Sequence, residues 1–402
     1  MGFAGARVRK RIAIVSMSVG WGHVRVADVI HRALSDGGDA AVDVRIADAN
    51  ELGRSWFRWI YFTPYWWMLR HAPGLLRCLF EHRQRGRRRS TAPAWLFRRG
   101  CIEVLRQLKA FSPQLVIATE IGAAEIAALG RREGWFSAPI LAVQTEFHTE
   151  PPWVQREIDI YCVASDEAKA QLISWGVLPN RVLLSGIPID PAFALAFHRP
   201  ELHRALGLDS RRPVVLVMGG GMRPAPLDEI VRALEVCGSP LQVLAVTGHD
   251  GPMRSRLESL RGRIALDLHI FGWSETIPEL MAAADVLITK PGGATAAEAM
   301  AMGLPMILTH PVLGREERHV RFLEKNGVAI LAPGLEDIPR LMGRLLARPE
   351  NLKEMARRGR EIARPGAAHA IAQVARALFE TSTYIDLLAV PPPRPGDSAY
   401  LM

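Results

Sequence analysis

The sequence predicts an α/β protein made of two parallel-sheet domains of the doubly wound kind. Three observations carry this. Short apolar runs alternate with Ala-, Leu-, Glu- and Arg-rich stretches of helical length along most of the 402 residues. Two glycine-rich turns, Gly219-Gly220-Gly221 and Lys290-Pro291-Gly292-Gly293, each follow such a run. A short polar stretch between the prolines Pro200 and Pro213 separates the halves. Strand–helix alternation of this extent is satisfied by parallel sheets covered on both faces, with ligands taken at the carboxyl ends of the strands.

The apolar runs are residues 12–15, 115–118, 140–143, 182–184, 214–218, 241–247, 286–289 and 306–309. The expected domains are 1–197 and 198–375, followed by a C-terminal helix and a loose tail over 376–402, proline-rich at 391–395. The first run follows basic residues but is too short for a secretory signal, and no run approaches the ~20 apolar residues of a spanning helix.

Composition narrows the partners. The chain is 49% hydrophobic and 23% charged, an ordinary globular mix, and its formal net charge is +9. That sign suits nucleic acid, an acidic membrane surface or a phosphorylated ligand. The cysteines Cys78, Cys101, Cys162 and Cys237 form no C-x-x-C pair and have no histidine cluster beside them. Zinc and a disulfide framework are therefore not expected, and a reducing cytoplasm fits.

The turn Lys290-Pro291-Gly292-Gly293-Ala294-Thr295-Ala296-Ala297-Glu298 lies between a buried strand and a helix closing on Gly303. N–H groups of a first helical turn point outward and suit phosphate oxygens, and glycine lets the backbone come close. Glu298, about one helical turn further on, suits both hydroxyls of a ribose. Diphosphate and ribose together describe a sugar nucleotide; a turn made for packing alone is the alternative. The spacing is neither G-x-G-x-x-G nor G-x-x-x-x-G-K-[ST], which disfavours dinucleotide and P-loop binding.

Residues 56–80 hold four of the ten tryptophans, Trp56, Trp59, Trp66 and Trp67, and run into a basic cluster that includes Arg87, Arg88 and Arg89. Amphipathic rings beside cations suit a segment lying in a membrane interface, and Arg58, Arg70 and Arg77 exclude a spanning helix. An aromatic patch under a partner, or a base-stacking platform for RNA, are the other readings of the same residues.

Five stretches in order resemble one family. Val19-Gly20-Trp21-Gly22-His23, with Ala27, is similar to a G-x-G-H-x-x-x-A loop. Thr145-Glu146-Phe147-His148, with Trp153 and Asp159-Ile160-Tyr161, is similar to T-D-F-x-x-H-x-x-W…D-x-Y. Gly186-Ile187-Pro188-Ile189 matches G-I-P-[IV], Met218-Gly219-Gly220-Gly221 a second glycine loop, and the segments 290–298 and 311–316 K-P-G-G-x-T-x-x-E and P-x-P-G-Q-E. Together, over residues 12–330, they resemble the diacylglycerol glycosyltransferases of glycosyltransferase family 28: monogalactosyldiacylglycerol synthases and processive diacylglycerol glucosyltransferases.

The resemblance implies a GT-B fold, two Rossmann-like domains facing a central cleft. It implies inverting transfer of a hexose from a UDP-sugar (UDP-glucose or UDP-galactose) to diacylglycerol or a glycosyldiacylglycerol. It also implies no cofactor or bound metal, no nucleic acid, and a peripheral enzyme on the anionic cytoplasmic face of the membrane. His23 is the expected base or acceptor-positioning residue, followed by Glu146 and then His148. Glu146 stands where Asp is usual. The donor is expected on Gly220, Gly221, Met222, Phe271, Trp273, Lys290, Gly292, Gly293, Thr295, Glu298, Arg315 and Glu316. Glu316 would hold sugar hydroxyls, and Arg315, where Gln is usual, would suit a charged donor such as a uronic acid. Alternatives are a glycosyltransferase acting on a polyprenyl-linked sugar and a non-catalytic nucleotide-sugar-binding protein.

Overall fold

The computed structural model describes residues 9–18, 21–35, 42–85, 90–221 and 224–380. Val19, Gly20, Arg87, Arg88, Arg89, Met222 and the 391–395 stretch lie outside these residues. The chain divides into two compact units, residues 1–189 with 366–402, and residues 190–365.

The first unit holds β1 (Lys10–Ser16), β2 (Val42–Asp48), β3 (Leu115–Ala118), β4 (Ile140–Val143), β5 (Ile160–Val163) and β6 (Val182–Leu184) in one sheet of order β2-β1-β3-β4-β5-β6. The second holds β7 (Val214–Met218), β8 (Gln242–Val246), β9 (Asp267–Phe271), β10 (Val286–Thr289), β11 (Met306–Leu308) and β12 (Ala329–Leu331), ordered β12-β11-β10-β7-β8-β9. Every pairing in both sheets is parallel. All eight expected runs are strands. Their apolar character follows from burial on both faces: β3, β4, β8 and β10 are buried at every residue.

Topology fixes where each unit can hold a ligand. In the second sheet the strand order reverses between β7 and β10, so the loops leaving those two strands diverge and open a crevice. The two glycine turns leave β7 and β10. In the first sheet the reversal lies between β1 and β3, and the loop leaving β1 leads into the helix Trp21–Ser35, which carries His23.

The terminal helix Ala367–Glu380 belongs to the first unit, whereas the sequence division ran the second domain on to residue 375. Its apolar stripe, with Ile371, Ala372 and Ala375 fully buried, is covered there, and Arg376 donates to the carbonyl of Ala33 at the end of the helix Trp21–Ser35 (3.2 Å).

Candidate functional site

In the second unit the helix Gly293–Met302 starts directly after the β10 turn, with Gly292 as its N-cap and no side chain capping it. Its first-turn N–H groups are thus not taken by a cap, as an anion cradle requires. Gly303, in the left-handed conformation at φ 64°, ends the helix. Gly220 adopts φ 76°, and a β-carbon there would lie 3.5 Å from the Lys290 side chain. The two glycine turns therefore meet through Gly220 and the Lys290 stem. Thr295 follows in the first turn, and Glu298 is 2% exposed one turn on.

Lys290 is buried and its Nζ lies 3.5 Å from Glu316 Oε2. The same Glu316 oxygen accepts from the Val312 N–H (2.7 Å), and Glu317 accepts from Gly314 (2.9 Å). Glu316, expected on sugar hydroxyls, thus closes its own loop and balances Lys290. Arg315 is the N-cap residue of the helix Glu316–Lys325. His319, buried on that helix, lies with Nδ1 2.8 Å from the Pro291 carbonyl. A carbonyl only accepts, so this Nδ1 carries the proton and fixes the tautomer.

Three further features line the same sheet edge. At the end of β9, Phe271 O accepts from Thr247 N (2.9 Å) and Thr247 Oγ1 (3.2 Å). Trp273, half exposed, stacks on His249 with ring centroids 4.4 Å apart and planes 10° apart, which gives a flat platform. His249 leaves β8 and was not legible from sequence, because the stack exists only once β8 and β9 are neighbours. His310, after β11, holds φ 49°, an unusual conformation for a residue with a β-carbon, and its Nδ1 lies 2.7 Å from Thr309 Oγ1.

In the first unit His23 is half-buried in the first turn of its helix, with Nδ1 3.0 Å from Thr145 Oγ1. The preceding loop is anchored through Ser18, whose N–H and hydroxyl reach Asp48 Oδ1 at 3.3 and 3.2 Å. Thr145 opens the buried segment that leaves β4. Glu146 and His148 follow in it, with Glu146 Oε2 3.5 Å from His148 Nε2. The structure therefore joins His23 to Thr145, and Glu146 to His148.

The aromatic segment forms two helices, Ser55–His71 and Pro73–Arg85, the second opening on a proline whose missing N–H is not needed there. Phe57, Phe62 and Leu69 of the first helix and Leu76 and Phe80 of the second are buried. Trp56 packs partly against the core, whereas Trp59, Trp66 and Trp67 are 68%, 40% and 55% exposed, alongside exposed Leu75 and Leu79. Trp95, on the helix Ala94–Gly100, is a further exposed tryptophan. Among the described residues no helix is long and apolar enough to cross a membrane.

One buried carboxyl fastens the first of these helices. Tyr61 and Thr91 join hydroxyls at 2.8 Å, and Glu125, on the helix Ile121–Arg132, accepts from the Thr91 N–H (2.8 Å) and its hydroxyl. Burial pushes Glu125 from 4.5 up to about 7, against the hydrogen bonds from Ser90 and Thr91 that lower it. Because the folded pKa is raised, this contribution to stability is fully present below pH 4.5 and is lost as pH climbs to about 7. The loss is worth roughly 3 kcal/mol. Denaturant unfolding of wild type and Glu125→Gln at pH 4.5 and pH 7.5 tests it. The wild type should lose about that much relative to the variant, and an unchanged difference would return Glu125 to ordinary titration.

Comparison with known proteins adds to this geometry. Residues 23–189 match the family model described as monogalactosyldiacylglycerol (MGDG) synthase, and residues 198–362 match glycosyl transferases group 1. The processive diacylglycerol beta-glucosyltransferase of Bacillus pumilus is 35% identical over 218 residues, 54% of this chain and 57% of that protein. The protein of the same name from Bacillus cytotoxicus is 28% identical over 80% of this chain and 81% of its own length. The crystal structure of MurG from Acinetobacter baumannii has a TM-score of 0.61 at 17% identity, covering 92% of this chain and 99% of that one. That likeness shows the fold, GT-B. The chain is thus similar to proteins named diacylglycerol glucosyltransferases, spans 57% of the length of the first of them, and matches the monogalactosyldiacylglycerol synthase model ahead of the glycosyl transferases group 1 model.

Proposed function

We propose that this chain transfers a hexose from a UDP-sugar to diacylglycerol, or to a glycosyldiacylglycerol, with inversion at the anomeric carbon. It does so at the anionic, cytoplasmic face of the membrane. The observation that carries the reading is the pairing of the two glycine turns at the reversal point of the second sheet, followed by an uncapped helix start and the buried Glu298. The relation to enzymes named diacylglycerol glucosyltransferases, which in the first of them spans 57% of their length, supports the acceptor.

The donor diphosphate takes the first-turn N–H groups around Gly292, Gly293 and Thr295, the ribose takes Glu298, and the base lies along Phe271 and Trp273. As the acceptor oxygen bonds to the anomeric carbon, the bond from that carbon to the diphosphate oxygen breaks on the opposite face. The growing charge on UDP is met by the helix start and Lys290, without a metal. His23 takes the acceptor proton. For its Nε2 to be the base, Nδ1–H must donate to Thr145 Oγ1, and that hydroxyl is able to accept, so the contact holds the ring and accommodates this tautomer. Glu146 and His148 form an acid–imidazole pair beside it in sequence and act on acceptor orientation.

Nuclear magnetic resonance of the glycolipid product tests inversion. A β-linked sugar from an α-linked donor, formed equally well with EDTA present, is expected. An α-linked product, or activity lost to EDTA and restored by a divalent cation, would overturn the corresponding part of the mechanism.

The exposed Trp59, Trp66 and Trp67 with Leu75 and Leu79 are read as the face that meets lipid. Trp66→Ala with Trp67→Ala should weaken vesicle binding about tenfold or more while UDP binding is unchanged. A fall in UDP affinity instead would make the segment structural.

A further inference from the structure

The helix Pro73–Arg85 has two faces with different partners. Leu75 and Leu79 are exposed, whereas Leu76 and Phe80 are buried. Arg83, one turn after Phe80, lays its guanidinium over that ring at 5.0 Å, and with Gln84 continues the inward face. Both reach the segment that carries Glu146 and His148. Arg83 pairs with the carboxylate of Glu150, whose side chain is 3% exposed. Gln84 donates to the carbonyl of Thr149 (3.1 Å).

Thr149 is the point where this segment is fixed. It is fully buried, its N–H donates to Gln171 Oε1 (3.0 Å), and its hydroxyl accepts from Gln144 Nε2 (2.8 Å). Ser165 donates to the carbonyl of Phe147 (2.5 Å). Ser165 and Gln171, the N-cap and a residue of the helix Asp166–Ser174, hold the segment from that helix, Gln144 braces it from within, and only Gln84 and Arg83, among these named contacts, come from the helix with the exposed leucines. A segment with no regular structure of its own takes its order from such anchors. An anchor that rides on a helix with an apolar outer face is fixed only as firmly as that helix is.

We propose that Arg83 and Gln84 are positioning residues that tie the order of segment 144–150 to the seating of the helix Pro73–Arg85 on a lipid bilayer. The inference rests on the membrane reading above. A bilayer is favoured as the occupant because Trp59, Trp66, Trp67, Leu75 and Leu79 are exposed beside the cations Arg58, Arg70 and Arg77. Seating holds the helix, the helix holds Glu150 and Thr149, and the Glu146–His148 pair is set in place only when acceptor lipid is at hand.

Amide hydrogen exchange on the full chain, with and without vesicles of phosphatidylglycerol and phosphatidylcholine, tests this. In the wild type, vesicles should slow exchange at 73–85 and, by about 5- to 150-fold, at 144–150. In Arg83→Gln the slowing at 73–85 should persist while the vesicle-dependent slowing at 144–150 disappears. Arg83→Lys, which keeps the charge, should retain it, and Glu150→Gln should lose it. A structural role alone would loosen 144–150 equally with and without vesicles and leave the vesicle-dependent change intact, which overturns the proposal. Slowing at 73–85 without slowing at 144–150 in the wild type overturns it too and leaves membrane binding standing. If vesicles slow neither segment, the membrane reading falls and the coupling with it.

Discussion

His23→Ala should lower kcat by about 10²- to 10⁴-fold, the usual contribution of a positioned general base. UDP binding should be unchanged, because His23 belongs to the first unit and the diphosphate turns to the second. The residue stands in the first turn of the helix Trp21–Ser35, half-buried, with one ring nitrogen already committed to Thr145. That commitment gives a second, independent reading. Thr145→Val removes the hydroxyl that holds Nδ1 and with it the orientation of the ring, so kcat should fall while KM for donor holds. If the pH dependence of kcat in His23→Ala matches the wild type with only a small loss in rate, the base is elsewhere, and Glu146 is the next candidate.

The second large effect is on donor affinity. Glu298→Ala should weaken UDP-sugar binding by about 1–3 kcal/mol, roughly 5- to 150-fold, because the proposed hydrogen-bond partner of the ribose is removed. Glu298 is 2% exposed on a helix whose neighbouring Ala299 and Met300 are buried in the core. Calorimetric titration with UDP, paired with thermal unfolding, separates the roles. Lost affinity with stability kept fits a ribose ligand, and lost stability with affinity kept makes Glu298 part of the packing.

How much of this was legible in the sequence follows from burial. The strands recovered, such as β4, β8 and β10, are buried throughout and so appear as unbroken apolar runs. Three of the four that were not read as runs, β2, β9 and β12, are sheet edges. An edge strand is half-solvated, so Asp43 and Arg45 break up β2 and Asp267 and His269 break up β9. The fourth, β5, is interior and buried, and its residues Ile160 and Tyr161 were read as part of a motif instead.

The site divides in the same way. Positions within one turn and the helix after it, such as Gly292 at the helix start and Glu298 one turn on, could be placed from spacing alone. Contacts between distant segments could not. The stack of His249 on Trp273, the closure of Glu316 on Val312 and Lys290, and the reach of Arg83 to Glu150 each depend on which strands and helices become neighbours. The aromatic segment shows both. Its tryptophans marked it in the sequence, but only packing separates Trp56, which turns partly to the core, from Trp59, Trp66 and Trp67, which do not.

The most direct test of the proposed activity is incubation of the full chain with a panel of UDP-sugars and diacylglycerol in mixed anionic vesicles, with products identified by mass spectrometry. A new hexosyl-diacylglycerol from one or a few donors is the expected result, and a ladder of products would mean that the glycolipid is itself an acceptor. UDP release without any glycolipid, or binding of UDP with no turnover of any donor, would contradict transfer to diacylglycerol.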